Sequence, residues 1–367
     1  MRIRTFLLAA LLIGAASAQQ SAVPPRPSTT AKAATLDLPQ ALARAYAQGA
    51  ALANAQTSLA NAELQLEAVQ ADPSALVLQK TQVKQAATQS RVALEATRLQ
   101  VLQSVVSAYQ ALHEAQQNVA VAQAQRDLAD RDLQVAQAKF GDGNATSLDV
   151  SKARTVLQSA QQTLANAEAK VPAAGGQLAT LLGVTDLGSV TVAAPPDLPQ
   201  VSAKLADLEQ GLLQRLPSVV QARLSVELYT LQVKLYDNDY TPRMTYQTAK
   251  TSLDNAQRAL DTARQNATTS LANAYQAAHD AYAHIAIAQQ NLDNVRQVLQ
   301  QDRAALEAGT VSALQVQSDE VAVGSSTYSL LQAVDGYRNA LVTLSVSAGQ
   351  DLTGLVEPAT PGTGGTS

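Results

Sequence analysis

The sequence predicts an all-α fold, a tandem repeat of long coiled-coil helical hairpins, and three observations carry that expectation. After Asp72-Pro73 the chain runs to Phe140 without another Gly or Pro, far beyond the ~11–12 residues of an average helix. Along that run the apolar residues recur by sevens: Val105, Leu112 and Val119 form one seam, Val121, Leu128 and Val135 another. Sevenfold spacing is the signature of coiled-coil packing, and two offset seams let one helix touch partners on both sides. Finally, AYQALHEAQQNVAVAQ (108–123) returns as AYQAAHDAYAHIAIAQ (274–289), with nine of sixteen positions identical at an offset of 166. Lys84/Lys250, Asp127/Asp293, Gly143/Gly309, Leu148/Leu314 and Gly183/Gly349 keep that offset, so the chain reads as a duplication.

The elements follow in order. Arg2 and Arg4, the short apolar stretch Phe6–Ile13 and Ala16-Ser17-Ala18 form a signal peptide (1–18) with a mature start at Gln19; its apolar core is far shorter than the ~20 residues of a spanning helix. No Cys follows the cleavage site, which excludes a lipoprotein, and export without transmembrane helices is expected. A Pro-rich leader (19–34) precedes the first repeat (35–192), a Pro-rich joint (193–200) carries Pro195, Pro196 and Pro199, and the second repeat (201–349) ends in a Gly/Pro/Thr-rich tail (350–367) expected to be disordered. In the first repeat, helix A spans Asp37 to Ala71, helix B ends near Phe140, and helix C follows GDGNATS to Leu182, bent or interrupted by Pro172 and Gly175-Gly176. The second repeat has helix A′ from Lys204 to Tyr236 with a kink at Pro217, B′ from Met244 to Ala308, and C′ from Ser312 to Ala348. Helix B alone would span about 100 Å.

Composition narrows the function. The chain has no Cys, no Trp and two Phe, with only 15% charged residues. Large aromatics supply much of a compact core, so long, closely packed helices suit this chain better. A net charge of -4 without a basic block argues against nucleic acid, which needs a Lys/Arg face. Zero Cys excludes disulfides, thiolate zinc sites and thiol nucleophiles.

Candidate chemistry is sparse. His113 and His279 precede Glu114 and Asp280, but adjacent helical residues do not share a site, and His279 and His284 are five apart. These histidines read as packing groups beside the Leu112 seam, with a pH-sensitive interhelical contact as the alternative. Asp237-Asn238-Asp239 opens like a calcium loop, yet Pro242 and Thr248 stand where Gly and Glu belong. No nucleophile, base and orienter are grouped, so no catalytic residue, metal or cofactor is expected.

At the two hairpins, Lys139-Phe140-Gly141-Asp142-Gly143-Asn144-Ala145-Thr146-Ser147-Leu148-Asp149-Val150 parallels Leu306-Glu307-Ala308-Gly309-Thr310-Val311-Ser312-Ala313-Leu314-Gln315-Val316. Gly143 and Gly309 can take the positive φ that ends a helix, and Thr146 or Ser147, and Ser312, can cap the next. Any helical hairpin needs such a turn. Together with the opening Leu36-Asp37-Leu38-Pro39-Gln40-Ala41-Leu42 and its counterpart Leu208-Glu209-Gln210-Gly211-Leu212-Leu213, this layout resembles the TolC family of outer-membrane efflux and export channels. The resemblance implies an α-barrel protomer, a homotrimer, and periplasmic tips that meet a membrane-fusion adaptor and an inner-membrane pump. On that basis the adaptor-contact candidates are Phe140, Gly143, Thr146, Leu148 and Val150 at one tip and Leu306, Gly309, Ser312, Leu314 and Val316 at the other, with Leu148, Val150, Leu314 and Val316 exposed.

One departure qualifies the resemblance. Family members carry a β-hairpin between helices A and B of each repeat, and a membrane strand needs ~9–11 alternating residues. Here the joints are only Asp72-Pro73-Ser74 with Ala75–Leu78, and Asn238–Arg243. The helical tunnel is therefore expected without the membrane barrel. This leaves two readings: an efflux conduit component in the outer membrane or periplasm, and a non-conducting periplasmic tether of the same fold.

Overall fold

The computed structural model describes residues 35–184 and 190–355. The expected signal peptide (1–18) and leader (19–34), and residues 356–367 of the expected tail, lie outside these described residues. The elements are β1 (Thr35–Leu36), α1 (Leu38–Gln48), α2 (Ala50–Ala71), α3 (Val77–Gly141), α4 (Ser147–Leu181), β2 (Thr191–Val192), α5 (Leu205–Glu209), α6 (Leu212–Arg215), α7 (Pro217–Tyr236), α8 (Arg243–Glu307) and α9 (Ala313–Ala348). The fold is helical as the sequence predicts, and α3 and α8 are each 65 residues long.

Three helices differ from expectation. Helix A is divided at Gly49, whose N–H still bonds Ala45 O at 2.8 Å while its extended ψ starts α2. A Cβ there would lie 2.3 Å from Ala45 O, so the break requires glycine. Helix A′ is three pieces, α5 to α7, broken at Gly211 and Leu216, and Pro217 begins α7 instead of kinking it, the position where a missing N–H costs no helical bond. Helix C runs unbroken through Pro172, Gly175 and Gly176. Pro172 and Gly176 face solvent, while Ala174, Leu178 and Ala179 on the opposite side are buried, so packing outweighs propensity.

The seams also divide differently. Val105 and Leu112 are fully packed, but Val119, Val121 and Leu128 are half-buried and Val135 is exposed. Toward the tip the buried sevenfold seam of α3 is alanine: Ala108, Ala115, Ala122 and Ala129. Small side chains allow close approach of helix axes, and the larger Val/Leu seam stays open to a neighbour. The apolar core lies instead at the other half of the helices. One cluster joins Leu38 and Leu42 of α1, Leu102, Tyr109 and Leu112 of α3, and Leu178 of α4; another joins Leu208, Leu212, Val219, Leu271 and Leu344.

The two halves meet along α3 and α9. Gln103 donates to Thr343, Ser107 to Asn339, and Gln110 to the Asp335 carbonyl, so each step up α3 is a step down α9. This antiparallel register puts both hairpin turns at one end. At the other end Gln85 donates to Leu224 O at 2.8 Å, tying α3 to α7.

The joint is not a free linker. A parallel pair, β1 with β2, was not foreseen; Thr35 lies opposite Thr191 and Leu36 opposite Val192. The buried Tyr109 hydroxyl lies 2.8 Å from both Leu36 O and Ala193 O. Tyr337 donates to Pro199 O at 2.6 Å. Residues 350–355 of the tail, expected to be disordered, are packed: Leu352 N donates to Ser345 Oγ at 3.0 Å, Thr353 is buried, and Leu355 packs on the first core.

Candidate functional site

The two hairpin tips are built alike. At the first, Gly143 has φ 76°, Gly143 N donates to Phe140 O at 3.0 Å and Asn144 N to Lys139 O at 2.7 Å. At the second, Gly309 has φ 73°, Gly309 N donates to Leu306 O and Thr310 N to Ala305 O, both at 2.9 Å. Both arrangements satisfy the last carbonyls of a long helix, and the left-handed residue is glycine because a Cβ strains there. Nothing lies within 4 Å of an added Cβ at either position, so the cost of substitution is conformational alone. Gly143→Ala or Gly309→Ala is expected to cost about 1–2 kcal/mol, read as a lowered thermal midpoint.

Thr146 caps α4 in a reciprocal box: Asp149 N donates to Thr146 Oγ1 at 3.2 Å, and Thr146 N to Asp149 Oδ2 at 2.9 Å. These bonds hold the Asp149 carboxyl below its ordinary range. Ser312 caps α9 through Gln315 N at 3.1 Å. Phe140 and Leu148 are 50% and 60% exposed, and Leu306 is exposed as well. Val150 and Leu314 are half-buried. Val316, expected at the surface, is buried: it lies one turn from the buried Asp319 on the side of α9 packed along α8.

Ten residues beyond the second turn the tips cease to be equivalent. Burial, then a hydrogen bond shared with Asp302 of α8, raises the Asp319 carboxyl above its usual range, and Gln315 donates to it at 3.1 Å. Arg303 pairs with Glu320 across the same helices at 2.8 Å. In the first copy the positions of Asp302 and Asp319 are Ala136 and Ala153.

The sequence motif around His113 leads to a larger cluster. His113 is 5% exposed and its Nδ1 has no hydrogen-bond partner; burial pushes its pKa down. It borders a groove of about 430 Å³ between α3 and α9, with Gln117, Val121 and Tyr328. His279, its equivalent, is half-buried and packs at a tilt against Tyr275, with ring centroids 4.7 Å apart and planes at 56°. Next to His113, Glu114 faces Asp335 of α9. Burial first, then the Asp335 charge and a hydrogen bond to it, raise Glu114 from an ordinary 4.5 to about 7. Asp335 is itself buried and raised by burial, against the pull of Arg338.

Arg338, 3% exposed, holds this group together. It pairs with Asp335, donates through Nε to Pro196 O at 3.1 Å and through Nη2 to Pro195 O at 3.0 Å, and lies 3.8 Å from Asp197. One guanidinium thus clasps α9, the joint and, through Asp335, α3. The sequence reading missed this clasp. A usable signal was present: Asp335 and Arg338, one turn apart, are the sole charges on α9 after Glu320, and an isolated pair on an apolar helix suggests mutual burial.

Among the described residues no group of His, Cys, Asp and Glu is placed to hold a metal, and no helix is long and apolar enough to cross a membrane. A sequence profile of the outer membrane efflux protein family matches residues 78–184 and 243–350, more than half of the chain. The chain belongs to this family. Membership places it outside the cytoplasm, in the outer membrane or periplasm.

Structural similarity gives the same fold. A membrane protein from Pseudomonas aeruginosa superposes with a TM-score of 0.66 at 15% identity, covering 87% of this chain and 92% of that one. The CmeC outer membrane channel of Campylobacter jejuni gives 0.63 at 14% identity, covering 85% of each chain. The outer membrane protein VceC of Vibrio cholerae gives 0.62 at 16% identity, covering 85% and 96%. None of the curated proteins is significantly similar in sequence.

Proposed function

We propose that this efflux-family chain is a non-catalytic conduit component, assembling as a homotrimeric helical tube whose tips engage a membrane-fusion adaptor and, through it, an inner-membrane pump. The observation that carries the reading is the pair of matched tips at one end of two 65-residue helices, with an unfilled Val/Leu seam beside them. Three chains with two hairpins each would close that seam, and transport energy would come from the pump. Phe140, Leu148 and Leu306, exposed beside capped turns, are the side chains best placed for adaptor contact; Val150 and Leu314 contribute at the edge, while Gly143, Gly309, Thr146, Ser312 and Val316 shape the turns.

The reading predicts a trimer by light scattering and a hollow cylinder about 100 Å long by electron microscopy, from the helical rise. A monodisperse monomer would sink it. A second reading, a non-conducting envelope tether, draws on the joints at 72–76 and 237–242, which are short turns with no strand in either. Loss of drug or metabolite export on deletion of the gene favours the conduit; unchanged export with a weakened envelope favours the tether.

A further inference from the structure

β1 runs parallel to β2, and β2 is tied to α3 by Gln116, which donates to Val190 O at 3.0 Å and accepts from Val192 N at 3.2 Å. Ala193 O, just after β2, is held by Tyr109, two turns back on α3. Both strands therefore travel away from the hairpin tips as their numbers rise. The chain before Thr35 accordingly approaches from the tip side, past Gln116. On that side lies the groove between α3 and α9, lined by His113, Ala120, Val121, Ala124, Gly324 and Tyr328. Gly324 sits inside α9, where glycine costs a helix ~1 kcal/mol relative to alanine, yet nothing lies within 4 Å of a Cβ added there. The described residues give no packing reason for glycine at this position; close approach of another backbone does.

The leader also repeats the pattern of the joint. Pro27, Ala31, Lys32 and Leu36 have the spacing of Pro199, Ala203, Lys204 and Leu208, and each set follows a Pro-Pro pair. In the joint this stretch is packed: Val201 and Ala203 lie on the second core, and Tyr337 and Arg338 of α9 donate to the carbonyls of Pro199, Pro195 and Pro196. From His113 to Ala124 the groove runs about 17 Å, the span of about five extended residues. The leader, from Gln19 to Ala34, is long enough to fill it.

We propose that the leader continues the path of β1 as an extended strap in this groove, with Thr30, Ala31, Lys32, Ala33 and Ala34 seated between α3 and α9. Alternate side chains of an extended chain face opposite ways, so Ala31 and Ala33 turn to Ala120, Ala124 and Gly324 while Thr30 and Lys32 face solvent. The Tyr328 hydroxyl donates to a leader carbonyl, as the Tyr337 hydroxyl does to Pro199 O. The strap takes up Val121 and leaves Leu128 and Val135 to a neighbouring chain. It bridges the two repeats on the tip side of the joint, whether the assembly conducts or tethers.

The chain has no Cys, so a pair of introduced cysteines reports its own proximity. In the mature protein, Ala33→Cys with Ala120→Cys is expected to form an intrachain disulfide under mild oxidation. Ala33→Cys with Ala111→Cys, exposed on the opposite face of α3, should stay reduced. Trypsin gives a second readout, since Lys32 is the leader's one cleavable site and Arg26 is blocked by Pro27. Gly324→Leu fills the groove and should speed cleavage after Lys32 about tenfold, the worth of two buried methyl groups; circular dichroism verifies that the helices persist. Absence of the Ala120 disulfide, equal disulfide formation at Ala111, or unchanged cleavage in Gly324→Leu overturns the proposal. A disulfide found only between chains does so too, because it assigns the groove to the leader of a second copy.

Discussion

Replacing Arg338 with Ala is expected to lower unfolding free energy by about 3–5 kcal/mol, the cost of removing one partner from a buried ion pair. Arg338 and Asp335 are 3% and 1% exposed, so the Asp335 carboxylate would be left without its cation. The Pro195 and Pro196 carbonyls lose their donors as well. Denaturant titration of the variant measures the loss. Arg338→Lys should recover only part of it, since an ammonium cannot fork to a carboxylate and two carbonyls together. The double change Arg338→Met with Asp335→Leu should recover more, because a pair of apolar groups leaves no buried charge. A loss below about 1 kcal/mol in Arg338→Ala, the range of an exposed pair, would show that the clasp contributes little.

The second large effect concerns Glu114 and depends on pH. Its carboxyl titrates near 4.5 in the unfolded chain and near 7 in the fold, chiefly because burial opposes ionisation and secondly because Asp335 is close. Between these values the folded state holds the extra proton, so stability falls as pH rises from about 4.5 to 7 and then levels off. The loss is on the order of 1–3 kcal/mol, reduced from the full shift because Glu114 is only half-buried. Glu114→Gln should therefore match the parent chain near pH 4 and exceed its stability at pH 8. There the amide can still donate to the Asp335 carboxylate, as the protonated Glu114 does at lower pH. His113 contributes the opposite slope, since burial lowers its pKa and charging it at low pH opposes folding, but it is common to both chains and cancels in the difference. Parallel stability–pH curves for the two proteins would refute the shared-proton pair.

These predictions rest on contacts of a kind that local sequence does not reveal. The two 65-residue helices, the positive-φ glycines at 143 and 309 and the Thr146 and Ser312 caps depend on residues within about one turn of each other, and all were legible. The break of helix A follows glycine's low helix propensity at Gly49, which the apolar pattern on both sides of it obscured. The unbroken course of α4 through Pro172 was not legible, because packing decided against the propensity of a single residue. The exposure expected of Val316 failed for a similar reason: its helix face was set by α8, not by its distance from the turn.

By itself, then, the sequence determined the helical class, the duplication and the position of each turn, since repetition, heptad spacing and capping are properties of neighbouring residues. Only the tertiary structure decided which copy of each repeated residue is buried. His113 faces Asp335 and Arg338 of α9, whereas His279 packs against Tyr275 of its own helix. It also decided which seam is filled, by alanine between helices of one chain, and which is left open. The antiparallel register of α3 and α9 brings together residues more than two hundred positions apart, and burial and charge acquire their energies only after that pairing has formed.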